Sequence, residues 1–290
     1  MKDAELNARL FRDGYVHLPF LDGEAVRELR ELFARYHERD TITGLYVASY
    51  RCGREVMEAV NEASSRIFSE AIDRHFRDIR PLGGTFIAKA FDENNLLHPH
   101  QDWNIVDECR YRSFTVWVPL QDVDDRNGAM YVLPGSHEWI RGYRHITIPC
   151  VYGKVYGLAW KHCVPVYMKA GEALVFDHAL VHASMPNRTA EVRVAATHSI
   201  ISGPGDMRIY LNNNGTVEEY ACHPEYYLEP SAQTGPHPFP KLGDVDFKPV
   251  QVDEREFYRL AGMEMPVQPP PAKPERGPKN WWAGIKKRFN

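Results

Sequence analysis

A run of short apolar segments between residues 84 and 201 limits the folds open to this chain. Gly, Pro, Asn and Asp clusters separate seven segments rich in β-branched and aromatic residues. These segments are GTFIAKAF, RSFTVWVPL, AMYVLPGS, HITIPCVY, VPVYMKAG, EALVFD and VRVAATHSII. No helical pattern lies between them. The region therefore predicts seven or eight strands in an all-β sandwich or barrel.

Helical patterns precede these strands. The stretch GYVHLPFLD predicts a short strand that ends at Asp22, a suitable N-cap for a following helix. The apolar residues of that helix recur at helical spacing: Val26, Leu29, Leu32, Phe33 and Tyr36. A second helix is predicted over roughly residues 54–80, ending at Pro81 and the glycine pair that follows it.

We expect one domain over residues 1–260, with a helical part at 1–82, a β core at about 83–202 and a C-terminal extension at 203–260. Residues 261–290 form a Pro-rich basic tail. The tail holds six Lys or Arg against two Glu, a charge of +4, which leaves −8 for the rest of a chain with net charge −4. We expect an extended arm packed on its own domain or on a partner subunit. Peripheral membrane contact or partner docking through 279–290 is the alternative.

Composition favours a small-molecule substrate. A net charge of −4 and a pI near 6.4 give no broad electrostatic footprint for nucleic acid. The N-terminus lacks the layout of a secretory signal, and the sequence has no apolar stretch of the roughly 18 residues that a membrane span needs. Five scattered cysteines without a CxxC pair argue against a disulfide framework. We expect a cytoplasmic monomer or homodimer.

The stretch LLHPHQDWNIVDE, residues 96–108, concentrates side chains that bind metals. If residues 98–102 lie on or beside a strand, His98, His100 and Asp102 share one face, because strand side chains alternate. One histidine and the carboxylate would supply two ligands of a two-histidine, one-carboxylate site for non-haem Fe(II). The third ligand must come from a distant position, for which His178 and His182 are available.

Arg193 indicates the cosubstrate of such a site. When 2-oxoglutarate chelates Fe(II), its C5 carboxylate is left unpaired, and burying an unpaired carboxylate is costly. A guanidinium meets that need because it is always charged and offers two parallel hydrogen bonds. Pro186 and Asn187 predict a turn between His182 and Arg193, so neighbouring antiparallel strands would direct both residues into one cavity.

Three ordered motifs resemble the phytanoyl-CoA dioxygenase family of Fe(II)- and 2-oxoglutarate-dependent oxygenases. The motifs are HQDW at 100–103, WVPLQDVDDRNGAMYVLPGSH at 117–137 and GEALVFDHALVHASMPNRTAEVR at 171–193. The resemblance covers roughly residues 14–200. It implies a mainly β fold with flanking α-helices, namely a double-stranded β-helix, which is a cupin-like jelly-roll of two facing antiparallel sheets.

The resemblance also implies roles for individual residues. His100, Asp102 and His182 match the family's metal ligands, which are its catalytic centre, and Arg193 matches the partner of the C5 carboxylate. Four further positions match residues beside the cosubstrate: Ser184, Thr115, Trp117 and Lys89. The implied cofactors are Fe(II), 2-oxoglutarate and O2.

Several histidines have rival interpretations. His98 could replace His100, but the family pattern has the ligand directly before Gln101. His178 and His182 have the spacing of a helical zinc pair, yet Ala179 stands where that motif has glutamate. We interpret His137 as a turn or capping residue.

The resemblance implies hydroxylation of an unactivated C–H bond of a small molecule, such as an acyl thioester, an amino acid or a natural product. Desaturation, cyclisation and epimerisation are alternative outcomes of the same chemistry. Arg110 and Arg112 are candidates for holding an anionic substrate group, or are surface charges. Two other classes of protein remain as alternatives: a zinc-dependent hydrolase or lyase that uses the same residues, and a non-catalytic scaffold protein on the same barrel.

Overall fold

The structure is a computed structural model that describes residues 1–228 and 239–266. These residues form six α-helices and thirteen β-strands. The helices are α1 (Ala4–Asp13), α2 (Gly23–Tyr36), α3 (Ala48–Arg51), α4 (Arg54–His75), α5 (Tyr156–His162) and α6 (Glu254–Leu260). The strands are β1 (Tyr15–Pro19), β2 (Leu45–Val47), β3 (Ile79–Lys89), β4 (Leu97–His100), β5 (Ser113–Pro119), β6 (Met130–Val132), β7 (Val164–Val166), β8 (Glu172–Asp177), β9 (His182–Ser184), β10 (Arg193–Ser202), β11 (Met207–Asn213), β12 (Thr216–Cys222) and β13 (Lys241–Val245).

Two antiparallel sheets enclose the centre of the fold. The larger has the order β1-β8-β5-β10-β3-β2 and the smaller has the order β4-β9-β6-β7. Buried side chains of both pack together, among them Trp117 and Phe176 from the large sheet and Met130 and Val132 from the small one. The predicted double-stranded β-helix is confirmed.

Helices α1 to α4 pack on the outer face of the large sheet, whereas α5 and α6 belong to a separate apolar cluster. Phe33 of α2 and Phe68 of α4 pack with Phe86 and Val116 of the sheet in the largest apolar cluster. The predicted cap is confirmed, because the Asp22 carboxylate accepts a hydrogen bond from the Ala25 amide at 2.8 Å. Within the described residues, no helix is both long enough and apolar enough to cross a membrane.

The predicted extent of the second long helix is wrong. Helix α4 ends at His75, and β3 runs through Pro81 and the two glycines. Proline is tolerated because the register with β10 shifts beside it, between Ser199 and Ile200. Gly83, with φ of 135°, adopts a backbone conformation that side chains disfavour.

The strand predicted at HITIPCVY is also wrong, since residues 145–152 form turns. Their apolar side chains belong to two separate apolar clusters. Ile148 packs with Tyr210 in one cluster, and Tyr152 packs with Phe257 in the other. A strand would need those side chains to alternate across one sheet. The extension at 203–260, for which no structure was predicted, contains a three-stranded sheet, β11-β12-β13, and α6. Most of the predicted tail, from residue 267 onward, lies outside the described residues.

Candidate active site

Strands β4 and β9 bring two histidines together. His100 at the end of β4 is the cross-strand partner of His182 at the start of β9, and their ring centroids are 4.3 Å apart. Asp102 lies just beyond β4, with Oδ1 3.5 Å from His182 Nε2 and 4.0 Å from His100 Nε2. One potential ligand atom from each residue lies within 4.8 Å of the others. The sequence motif thus becomes a compact three-residue cluster.

Backbone carbonyls orient both imidazole rings. His100 Nδ1 lies 2.8 Å from the carbonyl oxygen of His98, and His182 Nδ1 lies 3.0 Å from that of Leu180. Because a carbonyl can only accept, each Nδ1 carries a proton, and the neutral form of each ring therefore has its lone pair on Nε2. Both Nε2 atoms face Asp102. This is the tautomer and orientation that a metal-binding histidine needs.

The electrostatic surroundings favour a neutral imidazole beside an ionised carboxylate. Burial, with a further contribution from His182, lowers the pKa of His100 to about 4. Burial acts to raise the pKa of Asp102, but His182, His178 and His100 outweigh it and hold that pKa below its usual value. Side-chain exposures of 29% for His100 and 33% for Asp102 show that the cluster lines an opening. His100 and Asp102 are therefore accessible, and their shifted pKa values favour the ionisation states that bind a divalent cation.

Two neighbours hold Asp102 in place. Thr115 Oγ1 donates a hydrogen bond to Asp102 Oδ2 at 3.2 Å. Arg144 Nε donates to the backbone carbonyl of Asp102 at 2.8 Å, and the same guanidinium binds the Glu108 carboxylate at 2.8 and 2.5 Å. Only 7% of the Arg144 side chain and 6% of that of Glu108 are exposed. A buried ion pair thus fixes the backbone that presents Asp102.

Arg193 is buried inside the barrel at the start of β10, where 1% of it is exposed. Its guanidinium carbon lies 5.2 Å from the centre of the Trp117 ring. Burial lowers the pKa of Arg193 to about 10. Among the described residues, neither Nε nor Nη1 has a hydrogen-bond partner. A buried guanidinium with unused donors is suited to bind a carboxylate.

Lys89 and Ser184 connect Arg193 to the strand that carries His182. Lys89 is the cross-strand neighbour of Arg193, and its ammonium donates to Ser184 Oγ at 2.8 Å. Its other acceptors are the carbonyl oxygens of Asn95, Ser184 and Met185, at 3.0, 3.2 and 2.7 Å. Burial, with a smaller contribution from Arg193, lowers the pKa of Lys89 to about 7. Protein oxygens thus already surround this predicted cosubstrate residue.

The rival histidines lie elsewhere. His98 is exposed and stacks on Tyr156 with ring centroids 5.0 Å apart. His178 Nδ1 lies 2.9 Å from Ser113 Oγ, and His178 is not part of the three-residue cluster. His137 Nε2 lies 3.1 Å from the carbonyl oxygen of Phe11.

The structure also shows the contacts of Arg112 and Arg110, the two arginines considered for binding an anionic substrate group. Arg112 pairs with Asp177 at 3.0 Å and with Glu138 at 2.6 Å, so its charge is already balanced. Arg110 is exposed, and its guanidinium carbon lies 5.4 Å from the centre of the Tyr111 ring.

Sequence reasoning missed three residues that support the site. Arg144 and Glu108 form the ion pair behind Asp102, and no spacing or motif signals that pairing. Gln101 Nε2 donates to the carbonyl oxygens of Ile140 and Ala179, at 3.0 and 2.6 Å, and so ties two loops to the cluster. Gln101 could have been found, since it stands between two predicted ligands in the HQDW motif.

Known proteins share both the sequence pattern and the fold. A phytanoyl-CoA dioxygenase from Arabidopsis thaliana is 28% identical over 148 residues, which cover 49% of this chain and 51% of the relative. The epimerase SnoN, solved with Fe3+, alpha ketoglutarate and nogalamycin RO, has a TM-score of 0.51 at 20% identity, covering 84% of this chain and 95% of its own. EvdO2 from Micromonospora carbonacea var. aurantiaca, complexed with 2-oxoglutarate, has a TM-score of 0.50 at 20% identity, covering 69% and 91%.

The similarity to the curated relative spans about half the length of each protein. The family model for phytanoyl-CoA dioxygenase (PhyH) matches residues 10–195, which is more than half of this chain. The matched range contains all of the residues assigned above to the candidate site. The chain therefore belongs to the phytanoyl-CoA dioxygenase family.

Proposed function

We propose that this chain is an Fe(II)- and 2-oxoglutarate-dependent oxygenase that uses O2 to hydroxylate an unactivated C–H bond of a small molecule. The observation that carries the proposal is the pairing of two features in one barrel. His100, Asp102 and His182 cluster at its opening, and Arg193 lies buried on the opposing sheet. Membership of the dioxygenase family supports it.

The residues fit the metal. His100 and His182 would offer Nε2, and Asp102 would offer a carboxylate oxygen, which together make the two-histidine, one-carboxylate set typical of non-haem Fe(II) oxygenases. When bound, the iron and 2-oxoglutarate supply the oxidising chemistry, in which the keto acid becomes succinate and carbon dioxide. The protein orients the ligands, balances charge and positions the substrate.

Arg193 fits the distal carboxylate of 2-oxoglutarate. Its unused donors and its burial without a carboxylate partner among the described residues leave one positive charge to be neutralised. Trp117 covers the guanidinium, and Ser184 Oγ accepts a hydrogen bond from Lys89, the cross-strand neighbour of Arg193. Thr115 is better assigned to Asp102, to which it donates a hydrogen bond. Zinc-dependent hydrolysis does not in itself require a buried cation, whereas the distal carboxylate of 2-oxoglutarate does, and this difference favours the oxygenase.

Two measurements test the proposal. Anaerobic addition of Fe(II) and 2-oxoglutarate should produce a weak metal-to-ligand charge-transfer band in the visible region. A metabolite-library screen for compounds that stimulate succinate formation should then identify the substrate. Product analysis separates hydroxylation from desaturation, cyclisation and epimerisation. Correctly folded protein that gives neither the band nor stimulated succinate formation would favour the scaffold alternative.

A further inference from the structure

A partly exposed aromatic patch lies on the small sheet, on the opposite face from His182, because Tyr131 pairs with Ala183 and strand side chains alternate. We define the patch as Tyr131, Trp160, Pro165 and Tyr167, with Asp125 at its centre. Tyr131 stacks on Trp160 with ring centroids 4.9 Å apart and is the cross-strand partner of Pro165. The hydroxyls of Tyr131 and Tyr167 both donate to the Asp125 carboxylate. The five side chains therefore form one continuous surface.

The patch carries a negative charge without a counter-charge. Asp122 pairs with Lys169 at 2.8 Å, and Asp124 pairs with Arg126 at 2.8 Å. In the described part of the chain, by contrast, no lysine or arginine pairs with Asp125, whose hydrogen bonds come from the two neutral phenols. The phenols satisfy the carboxylate oxygens but leave its charge unbalanced. A cation from a ligand would meet that charge.

The shape of the patch suits an extended, proline-rich ligand. Tyr167 is 50% exposed, Pro165 is exposed, and β7 is the edge strand of its sheet. Stacked aromatic rings beside an acidic group are what proline-rich segments with basic residues dock on, because a polyproline helix keeps its shape and loses little entropy on binding.

The chain itself contains such a segment. Residues 266–279 read PVQPPPAKPERGPK, which combines six prolines with Lys273, Arg276 and Lys279. Helix α6, six residues before this segment, packs beside the helix that carries Trp160. Phe257 and Tyr258 of α6 contact His162 of α5, with ring centroids 5.6 and 6.2 Å apart, and α5 also carries Trp160. Helix α5 is roughly 10 Å long, and a polyproline segment extends about 3.1 Å per residue.

We propose that the aromatic patch is the docking site for the proline-rich segment 266–279 of the same chain, with prolines on the rings of Tyr131, Trp160 and Tyr167 and a basic side chain at Asp125. The segment would thereby cover the free edge of the small sheet. This inference is independent of the oxygenase chemistry, since it uses none of the residues assigned to the metal or to 2-oxoglutarate.

Zero-length crosslinking of the full-length protein tests the contact. A carbodiimide should join the Asp125 carboxylate to the amine of Lys273 or Lys279, detected by peptide mass spectrometry. A mixture of normal and 15N-labelled protein distinguishes links within one chain from links between copies. Asp124→Asn, next to the patch centre, should leave the link intact. Links found only between copies, or no link at all, would overturn the proposal.

Proteolysis provides a second readout that does not use Asp125 chemistry. Trypsin can cut after Arg276, and docking should slow that cleavage because proteolysis follows the undocked population. We expect cleavage at least about threefold slower than in a synthetic peptide of residues 266–290. Trp160→Ala should restore the rate of the peptide, whereas the exposed Phe91→Ala should not. Thermal unfolding checks that both variants are folded. Equal rates in the wild-type protein and the free peptide would refute the docking.

Discussion

The guanidinium carbon of Arg193 lies 5.2 Å from the centre of the Trp117 ring, and both side chains are almost completely buried. The ring covers the cation but brings no negative charge to balance it. Its attraction for the cation is worth about 2 kcal/mol, less than the several kcal/mol that burying an unpaired ion costs. We therefore expect the pair to bind a carboxylate rather than to stabilise the fold, and this expectation gives the first prediction.

Arg193→Met should affect ligand affinity and stability in opposite directions. Losing a charged, two-point hydrogen bond should weaken 2-oxoglutarate binding by about 100-fold. Removing an unpaired buried charge should raise the free energy of unfolding of the ligand-free protein by about 1 kcal/mol. Titration of the charge-transfer band and urea unfolding measure the two effects. Unchanged cosubstrate affinity would show that Arg193 is not the anchor.

His100→Ala and His182→Ala should each reduce affinity for a divalent metal by at least about 100-fold, because each removes one of three ligands. Calorimetric titration with Mn(II) measures this without turnover. His98→Ala is the matched control, since that exposed imidazole lies two residues from His100 and stacks on Tyr156 instead. Loss of binding in the control, with binding kept in His100→Ala, would reverse the assignment.

Arg144→Met should destabilise the fold by about 3 kcal/mol, because it removes the main partner of the buried Glu108 carboxylate and leaves only Arg141, whose Nη1 lies 4.0 Å from Glu108 Oε2. The double variant with Glu108→Leu should recover most of that loss, since neither charge of this buried pair then remains. Urea unfolding of the wild-type protein, the single variant and the double variant measures the free energies of unfolding. Metal affinity should stay weakened in the double variant, because the Asp102 carbonyl has lost its donor.

Lys89 should make stability rise with pH above neutrality. Its pKa is about 7 in the folded protein against an ordinary value of 10.5, so between those values the unfolded chain binds more protons. Folding therefore becomes more favourable from pH 7 to 10.5, by up to about 1.4 kcal/mol per pH unit. Unfolding of wild-type and Lys89→Met protein at pH 7, 8 and 9 measures it. If the difference in free energy of unfolding between the wild-type and Lys89→Met proteins did not change with pH, the lowered pKa of Lys89 would be contradicted.

Local patterns in the chain were sufficient to predict much of the fold. Alternation and turn residues identified most strands of the two facing sheets, and the Asp22 cap located the start of α2. The same local logic was wrong at Pro81, where a register shift admits proline into β3, and at residues 145–152, whose apolar side chains pack in separate clusters. Local sequence patterns cannot show which residues distant in sequence pack against each other.

The sequence by itself determined the family and the proposed ligand set, because closely spaced histidine and aspartate residues with a distant HxS and arginine form a pattern readable in order. Only the tertiary structure shows which histidines lie beside Asp102, since His98 and His178 have the same chemistry as His100 and His182 but are not part of the three-residue cluster. It also revealed the Arg144–Glu108 pair and the unpaired charge of Arg193. Burial and charge balance depend on residues far apart in the chain, and folding alone brings those residues together.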